Sequence, residues 1–397
     1  MRSHWVFISF LLFHFYSSLG AQNTEKTDAY EEGIHISLLT CAPGNEIYTL
    51  FGHTAIRIRI TNQNIDRVYN YGLFNFNTPN FAFRFALGET DYQLGATTFP
   101  HFLAEYEYYN RAVWEQTLNL TLEEKRKLIQ LLQDNMKPEN RIYRYNFFYD
   151  NCATKPRDII AESITGEIKF IGNIDESFRS IIHQHTPSHP WSEFGMDLCL
   201  GSPADDKVSL SESMFAPFYL MDLFNDATIV DPDGNQRALI KEKRIVFKPQ
   251  ADSVTKSVLS SPLFLFSLLF CLLLWVSYKG IKTHKSLWGI DLLLLFLYGV
   301  AGCVLGFLSF ISTHPAMYPN YLLLVFNPIH LLTLPFVIKR IRKKQRSHYI
   351  TIYCVLLTFF TVLSPLIPQR FNLAILPLTL CILIRGVNHI ILSQKTK

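Results

Sequence analysis

The sequence predicts two domains of different class, an exported α+β domain followed by an all-α domain that lies in a membrane. Two observations support this division. The mean hydropathy is +0.13 and 49% of the residues are hydrophobic, which is more apolar than an ordinary soluble protein. The longest apolar segments follow residue 258, whereas the preceding part alternates short apolar runs with turns, as mixed strands and helices do.

A secretory signal peptide is predicted over residues 1–20. Arg2 gives a charged start, residues 5–16 form an apolar run, and Ser18, Leu19 and Gly20 provide a cleavage site. The apolar run is too short to span a bilayer comfortably. The exported domain is then expected to cover residues 21–257, with residues 244–258 as a tether, and the membrane domain residues 258–397.

Five apolar segments are each long enough to cross about 30 Å of hydrocarbon. They cover roughly residues 259–278, 287–311, 320–338, 349–367 and 371–391. Basic residues concentrate in the first loop, which contains Lys279, Lys282 and Lys285, and in the third loop, at 339–346. The positive-inside rule makes these loops and the C-terminus cytoplasmic and places residues 21–257 outside.

The net charge of +4 hides an uneven distribution. Residues 258–397 contain 13 basic residues and one acidic residue, Asp291, whereas the rest of the chain carries 24 basic and 32 acidic residues. The basic excess is therefore explained by membrane topology, and nucleic-acid binding is not predicted.

Within the exported domain, strands are predicted over residues 35–40, 53–60, 67–74, 112–120 and 141–150. Thr121 and Glu124 form a capping box that opens a helix to about residue 136, and a second helix is expected over 154–164. Apolar residues alternate with basic or small residues along strand 53–60, so one face of the strand is expected to be buried and the other hydrated. Aromatic residues are frequent at positions 78–111. They are expected to form either part of the hydrophobic core or a surface that contacts lipid.

Cys152 and His53 are the candidate catalytic pair. Cys152 lies between a predicted strand and a predicted helix, where backbone N–H groups favour a thiolate, although Pro156 indicates that the helix begins nearer Thr154. His53 begins a strand directly after Gly52, which would let a substrate approach closely. A cysteine nucleophile needs such a nearby base.

The segments "FGHTAIRI" and "NCATKPRDI", together with "SLLTCAPGNEIYTLFGH", "YNYGLFNF" and "GMDLCLGSPAD", resemble the Lnb N-terminal periplasmic domain family of Bacteroidota. The resemblance implies a permuted papain-like fold, similar to lecithin:retinol acyltransferase and NlpC-type enzymes, in which the histidine precedes the cysteine. It also implies a bacterial inner-membrane protein with a periplasmic catalytic domain.

The activity implied by the resemblance is lipoprotein N-acylation without a cofactor. An acyl chain would pass from a membrane phospholipid to Cys152 as a thioester, with His53 as base, and then to the N-terminal amine of a lipoprotein. Two rival functions use the same sequence features. One is a cysteine hydrolase, either a lipase or a cell-wall amidase, and the other is a non-catalytic membrane receptor or assembly factor.

Further residues are assigned supporting roles. Asn70 is expected to orient the imidazole. Asn151 or Tyr149 could complete an oxyanion hole with backbone N–H groups near Cys152. Arg157 would either bind a donor phosphate or form a salt bridge on its helix.

Seven cysteines are present, and four lie in the predicted spans. The other three are Cys41, Cys152 and Cys199, and an odd number in an oxidising compartment suggests one disulfide and one free thiol. We expect a Cys41–Cys199 disulfide, with Cys41 as nucleophile the alternative. A run with three histidines, His183, His185 and His189, invites a zinc site, but no partner has ligand spacing. A loop without metal is predicted.

Polar residues in the membrane domain suggest substrate docking, because such groups cost free energy in hydrocarbon. They are Asn327 and His330 in the third span and His314 and Asn320 in the outer loop before it. Asp291, near the cytoplasmic end of its span, is expected either to face the bundle or to snorkel to the interface.

Overall fold

A computed structural model of the chain describes residues 33–75, 77, 79–250 and 258–394. The predicted signal peptide, residues 251–257 of the tether and residues 395–397 of the tail lie outside this range. The chain divides into two compact units. The sheet unit comprises 33–75, Asp91–Asn173 and Leu210–Gln250, and the helix unit comprises 79–90, Ile174–Ser209 and 258–394.

The strands of the sheet unit are β1 (Ile34–Cys41), β2 (His53–Ile60), β3 (Ile65–Leu73), β4 (Asp91–Thr98), β5 (Val113–Leu118), β6 (Ile142–Arg144), β7 (Glu167–Lys169), β8 (Thr228–Val230), β9 (Gln236–Ala238) and β10 (Ile240–Phe247). They form a seven-stranded sheet of order β10-β5-β1-β2-β3-β4-β6 and a three-stranded sheet of order β7-β8-β9. Neighbouring strands pair antiparallel in both sheets.

The described residues also form α-helices, which are α1 (Phe81–Leu87), α2 (Phe99–Tyr108), α3 (Leu122–Asn135), α4 (Thr154–Ser163), α5 (Phe178–His185), α6 (Pro190–Cys199), α7 (Leu210–Ser213), α8 (Pro217–Asn225), α9 (Pro262–Thr283), α10 (Trp288–Phe310), α11 (Ile329–Arg342), α12 (His348–Leu363) and α13 (Ile375–Gln394). The predicted capping box of α3 is confirmed. Thr121 Oγ1 accepts from the Glu124 backbone N–H at 3.3 Å, and Glu124 Oε2 accepts from the Thr121 backbone N–H at 2.8 Å.

Strand β2 is the central strand of the seven-stranded sheet, and the alternation of its residues directs every second side chain to one face. Its apolar face enters the main core of the unit with Ile56, Ile58 and Ile60. The prediction of a hydrated opposite face is wrong for Arg57, which is only 6% exposed. The Arg57 guanidinium lies over the ring of Phe99 in α2 and contacts both carboxylate oxygens of Glu115 at 3.2 Å. A helix and a charge partner distant in sequence therefore cover this face.

Three predicted segments differ from the structure. The strand predicted over 141–150 is limited to β6, after which Asn146 and Asp150 pair across a tight turn. Residues 244–247 of the predicted tether belong to β10, which pairs with β5. The aromatic-rich segment 78–111 contains α1, β4 and α2, with Tyr106 buried and Phe83 57% exposed.

The helix unit contains the five predicted spans. Five helical segments are long and apolar enough to cross a membrane: Pro262–Thr283, Trp288–Phe310, Tyr321–Arg342, His348–Leu366 and Ile375–Gln394. Two segments that precede them in sequence, 79–90 and Ile174–Ser209, belong to the same unit. The backbone N–H of Thr313 donates to the carbonyl of Leu87 at 2.9 Å, and that of Gly201 donates to Ala316 at 2.7 Å.

Asp291 does not snorkel to the interface, because it is 5% exposed and faces α13. Arg385 on that helix donates from Nε to Asp291 Oδ1 at 2.7 Å and from Nη2 to Oδ2 at 2.9 Å. Such a bidentate pair neutralises both charges inside the bundle. Sequence reasoning considered Asp291 alone and missed Arg385, since nothing local connects residues on different spans.

Candidate active site

Cys152 lies in the turn between β6 and α4, and the side chain of Asn151 holds this turn. Asn151 Oδ1 accepts from the backbone N–H groups of the two residues after Cys152, at 2.7 and 3.0 Å. Its Nδ2 donates to the carbonyls of Phe147 and Phe215, at 2.7 and 2.9 Å. These four bonds use the full capacity of the amide. The Asn151 side chain therefore positions Cys152 and has no donor left for the predicted oxyanion role.

Two backbone N–H groups face the Cys152 sulfur, its own and that of Thr54. Thr54 directly follows His53, so this contact brings Cys152 to the end of β2 where the predicted base lies. Gly72 of β3 adjoins the same point, since a Cβ added there would lie 3.5 Å from the Cβ of Cys152. Burial raises the pKa of the Cys152 thiol to about 11, although the two N–H groups act in the opposite direction. The resting thiol is therefore protonated at neutral pH.

His53 is joined to Asn70 on the neighbouring strand β3, with 3.1 Å between His53 Nε2 and Asn70 Oδ1. An amide oxygen only accepts hydrogen bonds, so Nε2 carries the proton and Nδ1 keeps a lone pair. Burial lowers the pKa of His53 to about 4, against the opposing effect of the Asn70 hydrogen bond. The imidazole is thus neutral at neutral pH, as a general base must be.

Gly52, just before His53, has a backbone requirement of its own. Its φ is +84°, and a Cβ at this position would lie 2.5 Å from the carbonyl oxygen of Cys41. Only glycine fits such a close approach in the left-handed region. The residue therefore fixes the chain entering β2, which is a different reason from the substrate access that the sequence suggests.

Three tyrosines, one buried and two half-buried, lie near the thiol and were missed by sequence reasoning. Tyr92, Tyr143 and Tyr145 are close enough for a charge on Cys152 to influence their pKa values. Tyr92 and Tyr145 stack with 4.1 Å between ring centroids. Burial raises the pKa of Tyr92 to about 12. The phenols are neutral, so this part of the site is an apolar wall with polar tips. The alternation of Tyr143 and Tyr145 in the sequence was the available signal.

Cys41 lies directly opposite His53 in the β1–β2 register. It is fully buried, its sulfur accepts a hydrogen bond from the Tyr106 hydroxyl, and burial raises its pKa to about 12. A substrate carbonyl has no access to a sulfur in this position, which argues against Cys41 as the nucleophile. The predicted Cys41–Cys199 disulfide is wrong for this structure. Both thiols are free, and the two residues belong to different compact units.

Tyr149 and Arg157, the other predicted substrate contacts, lie on the same turn and helix as Cys152. Tyr149 is 45% exposed, and its backbone N–H donates to Asn146 Oδ1 at 3.2 Å. Arg157 donates from Nε to Asp158 at 2.7 Å and from Nη1 to the carbonyl of Ser211 at 2.6 Å. The salt bridge that the sequence left open as an alternative for Arg157 is thus present, and phosphate binding stays a prediction.

The two docking candidates of the outer loop contact the helix unit itself. His314 Nε2 lies 2.6 Å from the carbonyl oxygen of Phe85 in α1. Asn320 is 4% exposed, donates from Nδ2 to the carbonyl of Leu198 at 2.8 Å and accepts from the Leu322 backbone N–H at 3.0 Å. Both side chains have structural partners, and a docking role for either remains a prediction.

The two candidates in the third span lie at the start of α11. Asn327 Oδ1 accepts from the Ile329 backbone N–H at 2.9 Å and caps the helix. His330 is buried, and its Nδ1 lies 2.6 Å from the hydroxyl of Tyr349 on α12. These contacts explain the polar residues as helix-start and interhelical hydrogen bonds, and docking is again untested.

Among the described residues, one group has three possible metal ligands whose donor atoms lie within 4.8 Å of one another: His183, Glu193 and Asp197. His183 and His185 lie at the end of α5, and His189 lies in the loop before α6, so the predicted loop is confirmed only for residues 186–189. His183 Nε2 lies 3.0 Å from both Asp197 oxygens. Asp197 also accepts from Arg179 at 2.7 Å and Asn372 at 3.0 Å. A guanidinium already balances this carboxylate, so the group is explained as an ion-pair network.

The fold and the site together define a class: a membrane protein with an α/β domain that carries a cysteine–histidine–asparagine cluster, and with five apolar helices. Comparison with family models gives the family. The Lnb N-terminal periplasmic domain matches residues 22–184, and the Lnb transmembrane domain matches residues 254–397. The chain belongs to the Lnb family and is a multi-pass protein of the inner membrane. Comparisons with curated proteins and with solved structures found no match.

Proposed function

We propose that the protein is a lipoprotein N-acyltransferase that uses Cys152 as nucleophile and His53 as base. One observation carries the proposal: the Cys152 sulfur faces the backbone N–H of Thr54, the residue after His53, while His53 Nε2 lies 3.1 Å from Asn70. A nucleophile, a base and a group that orients the base are thereby gathered at one strand end. Membership of the Lnb family supports the lipoprotein substrate.

The first half-reaction is acylation of Cys152. The sulfur attacks an ester carbonyl of a phospholipid while Nδ1 of His53 takes the thiol proton. A neutral imidazole and a protonated thiol, as the two pKa values require at rest, make this a general-base step rather than attack by a preformed thiolate. The ester C–O bond then breaks, and His53 returns the proton to the glycerol oxygen. A lysophospholipid leaves, and a thioester remains.

Backbone N–H groups stabilise the oxyanion in this step. The N–H groups of Cys152 and Thr54 already face the sulfur, so an oxygen on the attacked carbon lies within their reach. The Asn151 amide takes no part, because its four hydrogen bonds are made inside the protein. Its role is to hold Cys152 in the turn.

The second half-reaction transfers the acyl group to an amine. The N-terminal amino group of a diacylated lipoprotein attacks the thioester carbonyl and gives one proton to His53. The C–S bond breaks, an amide forms, and the thiolate recovers the proton from the imidazolium. Water in place of the amine would give a fatty acid, which is the hydrolase outcome. The proposed topology keeps the catalytic domain periplasmic and the C-terminus cytoplasmic, by the distribution of basic loop residues.

The test is mass spectrometry of a reporter lipoprotein in membranes that contain the full-length protein, the Cys152→Ala variant or the Cys199→Ala variant. We expect an amide-linked third acyl chain with the wild type and with Cys199→Ala, and none with Cys152→Ala. A hydroxylamine-sensitive acyl group should be found on the peptide that contains Cys152.

Two results would overturn the proposal. Release of free fatty acid with no N-terminal acylation would indicate a hydrolase. Full N-acylation by Cys152→Ala would exclude the thioester and favour a non-catalytic role. The Cys199→Ala variant controls for general effects of thiol removal, because Cys199 lies in the helix unit.

A further inference from the structure

An open groove of about 800 Å³ lies on the surface of the helix unit between α10 and α11. One part of it is apolar and the other basic. The apolar part is lined by Leu292, Leu334, Pro335 and Ile338, and the basic part by Lys339, Arg342 and Lys343. Pro335 lies inside α11, where a proline removes a backbone hydrogen bond and bends the helix.

The three basic side chains lie in a part of the sequence that is almost without acidic residues. Residues 258–397 contain a single acidic residue, Asp291, and Arg385 already occupies both of its oxygens, at 2.7 and 2.9 Å. In the described part of the chain, no ion pair involves the basic residues of the groove. Arg342 lies over the ring of Trp288, with 4.9 Å between the guanidinium carbon and the ring centroid. The three side chains are exposed, and a charge of about +3 at one end of an apolar groove attracts an anion from outside.

The position of the groove along the membrane normal follows from the sequence. Its basic end belongs to the cluster 339–346, which the positive-inside rule assigns to the cytoplasmic surface. Three of the apolar lining residues, Leu334, Pro335 and Ile338, precede that cluster on α11 by one to five residues, toward the hydrocarbon, and the fourth, Leu292, lies on α10. Basic pockets between transmembrane helices on this side of a membrane bind anionic lipid headgroups.

We propose that this groove binds an anionic phospholipid of the cytoplasmic leaflet. Lys339, Arg342 and Lys343 contact the phosphate of a headgroup that has no cation of its own, and an acyl chain lies along the apolar part. A zwitterionic lipid brings its own cation and leaves the groove charge uncompensated. Free phosphate leaves the apolar wall exposed. The site is separate from Cys152 in the sequence and in its unit, and it goes beyond the proposed acyl transfer.

Native mass spectrometry of the full-length protein, purified in detergent and titrated with phosphatidylglycerol or phosphatidylethanolamine, tests the proposal. The variant Lys339→Gln/Arg342→Gln/Lys343→Gln removes the basic end. Its matched control, Arg340→Gln/Lys344→Gln/Arg346→Gln, removes the same charge from the same segment without touching the groove lining. We expect phosphatidylglycerol retention to fall at least tenfold in the first variant and less than twofold in the control.

A second variant tests the apolar part without a change of charge. Leu334→Trp fills the groove and should also reduce phosphatidylglycerol retention, even if the triple variant is poorly folded. Equal losses in both triple variants would mean diffuse surface attraction and would overturn the proposal. So would equal retention of the two lipids, displacement by 10-fold excess inorganic phosphate, or a dimer that occupies the groove. None of these readouts depends on acyl transfer, so either proposal can fail alone.

Discussion

The two units differ in how they use polar side chains that are buried or half-buried. In the sheet unit, His53, Asn70 and Cys152 form a neutral cluster in which the imidazole and the thiol both keep reactive atoms available. In the helix unit, Arg179 is 1% exposed and donates to the carboxylates of Asp197 and Asp205 and to three backbone carbonyls, so all five N–H groups of its guanidinium are used. Saturated hydrogen bonding indicates a structural cluster, and unsatisfied reactive atoms indicate chemistry.

The Arg179 cluster also has the electrostatic character of a structural network. Burial by itself raises the pKa of Asp197, but hydrogen bonds from His183 and Asn372 and the charge of Arg179 lower it below its ordinary value. The hydrogen bond with Asp197 raises the pKa of His183. Each group thus holds its partner in the charged form, which stabilises the fold but leaves no neutral base.

The largest effect that this contrast predicts is for His53→Ala. Removing the proposed general base should lower N-acylation about 10²–10⁴-fold. The variant should still fold, because the substitution removes one neutral hydrogen bond, which contributes about 1 kcal/mol to stability, and leaves no charged group without a partner. Initial rates of reporter acylation and the unfolding temperature in detergent measure the two effects. His101→Ala, at an exposed position of α2, is the control. If His53→Ala does not fold, the cluster of His53, Asn70 and Cys152 has a structural role.

Arg179→Met should lower the stability of the protein and leave its rate nearly unchanged, because it leaves Asp197 buried without the guanidinium of Arg179. Breaking such a pair costs about 3–5 kcal/mol of unfolding free energy. Thermal or denaturant unfolding should show this loss, while the rate per folded molecule stays near that of the wild type. Lys207→Met removes an ion pair that is 77% and 79% exposed on its two sides, and should leave stability unchanged. A stable but inactive Arg179→Met variant would contradict the structural role that we assign to the Arg179 cluster.

Asn70→Ala should give the smallest effect, a loss of about 10–100-fold in rate, because the imidazole remains but loses its orientation. The pH profile separates positioning from simple damage. In the proposed mechanism His53 is a base only when it is neutral, so activity should fall as the pH drops through its pKa of about 4. The Asn70 hydrogen bond raises that pKa, so in Asn70→Ala the acid limb should move to lower pH. Asn70→Gln should restore part of the rate. If the acid limb of the pH–rate profile stays in place in Asn70→Ala, Asn70 does not position His53.

Local sequence patterns were sufficient for several features. The five spans follow from long apolar runs, which depend only on the thickness of the bilayer. Strands β1 to β3 follow from alternation, and the start of α3 from a capping box that spans four residues. The contact between His53 and Asn70 was also anticipated, because both residues lie on strands expected to be neighbours.

Other features depend on contacts between residues distant in the chain. The charge partner of Asp291 lies 94 positions away along the chain, and Glu115, one of the two charge partners of Arg57, lies 58 positions away. Strand β10 joins the sheet through β5, more than 100 positions earlier. Helices α5 and α6 and the Arg179 network share a unit with the spans, although the hydropathy of their sequence does not suggest it.

The sequence by itself determined which residue types are present, which segments are long and apolar enough to cross a membrane, and which cysteine stands at a strand-to-helix junction. These properties are local, since they depend on composition and on periods of two to four residues. Only the tertiary structure decided which polar groups are saturated and which stay reactive. That distinction depends on partners far apart in the chain. It is the reason why we propose Cys152 and not Cys41 as the nucleophile, and why the Asn151 amide is not assigned to the oxyanion hole.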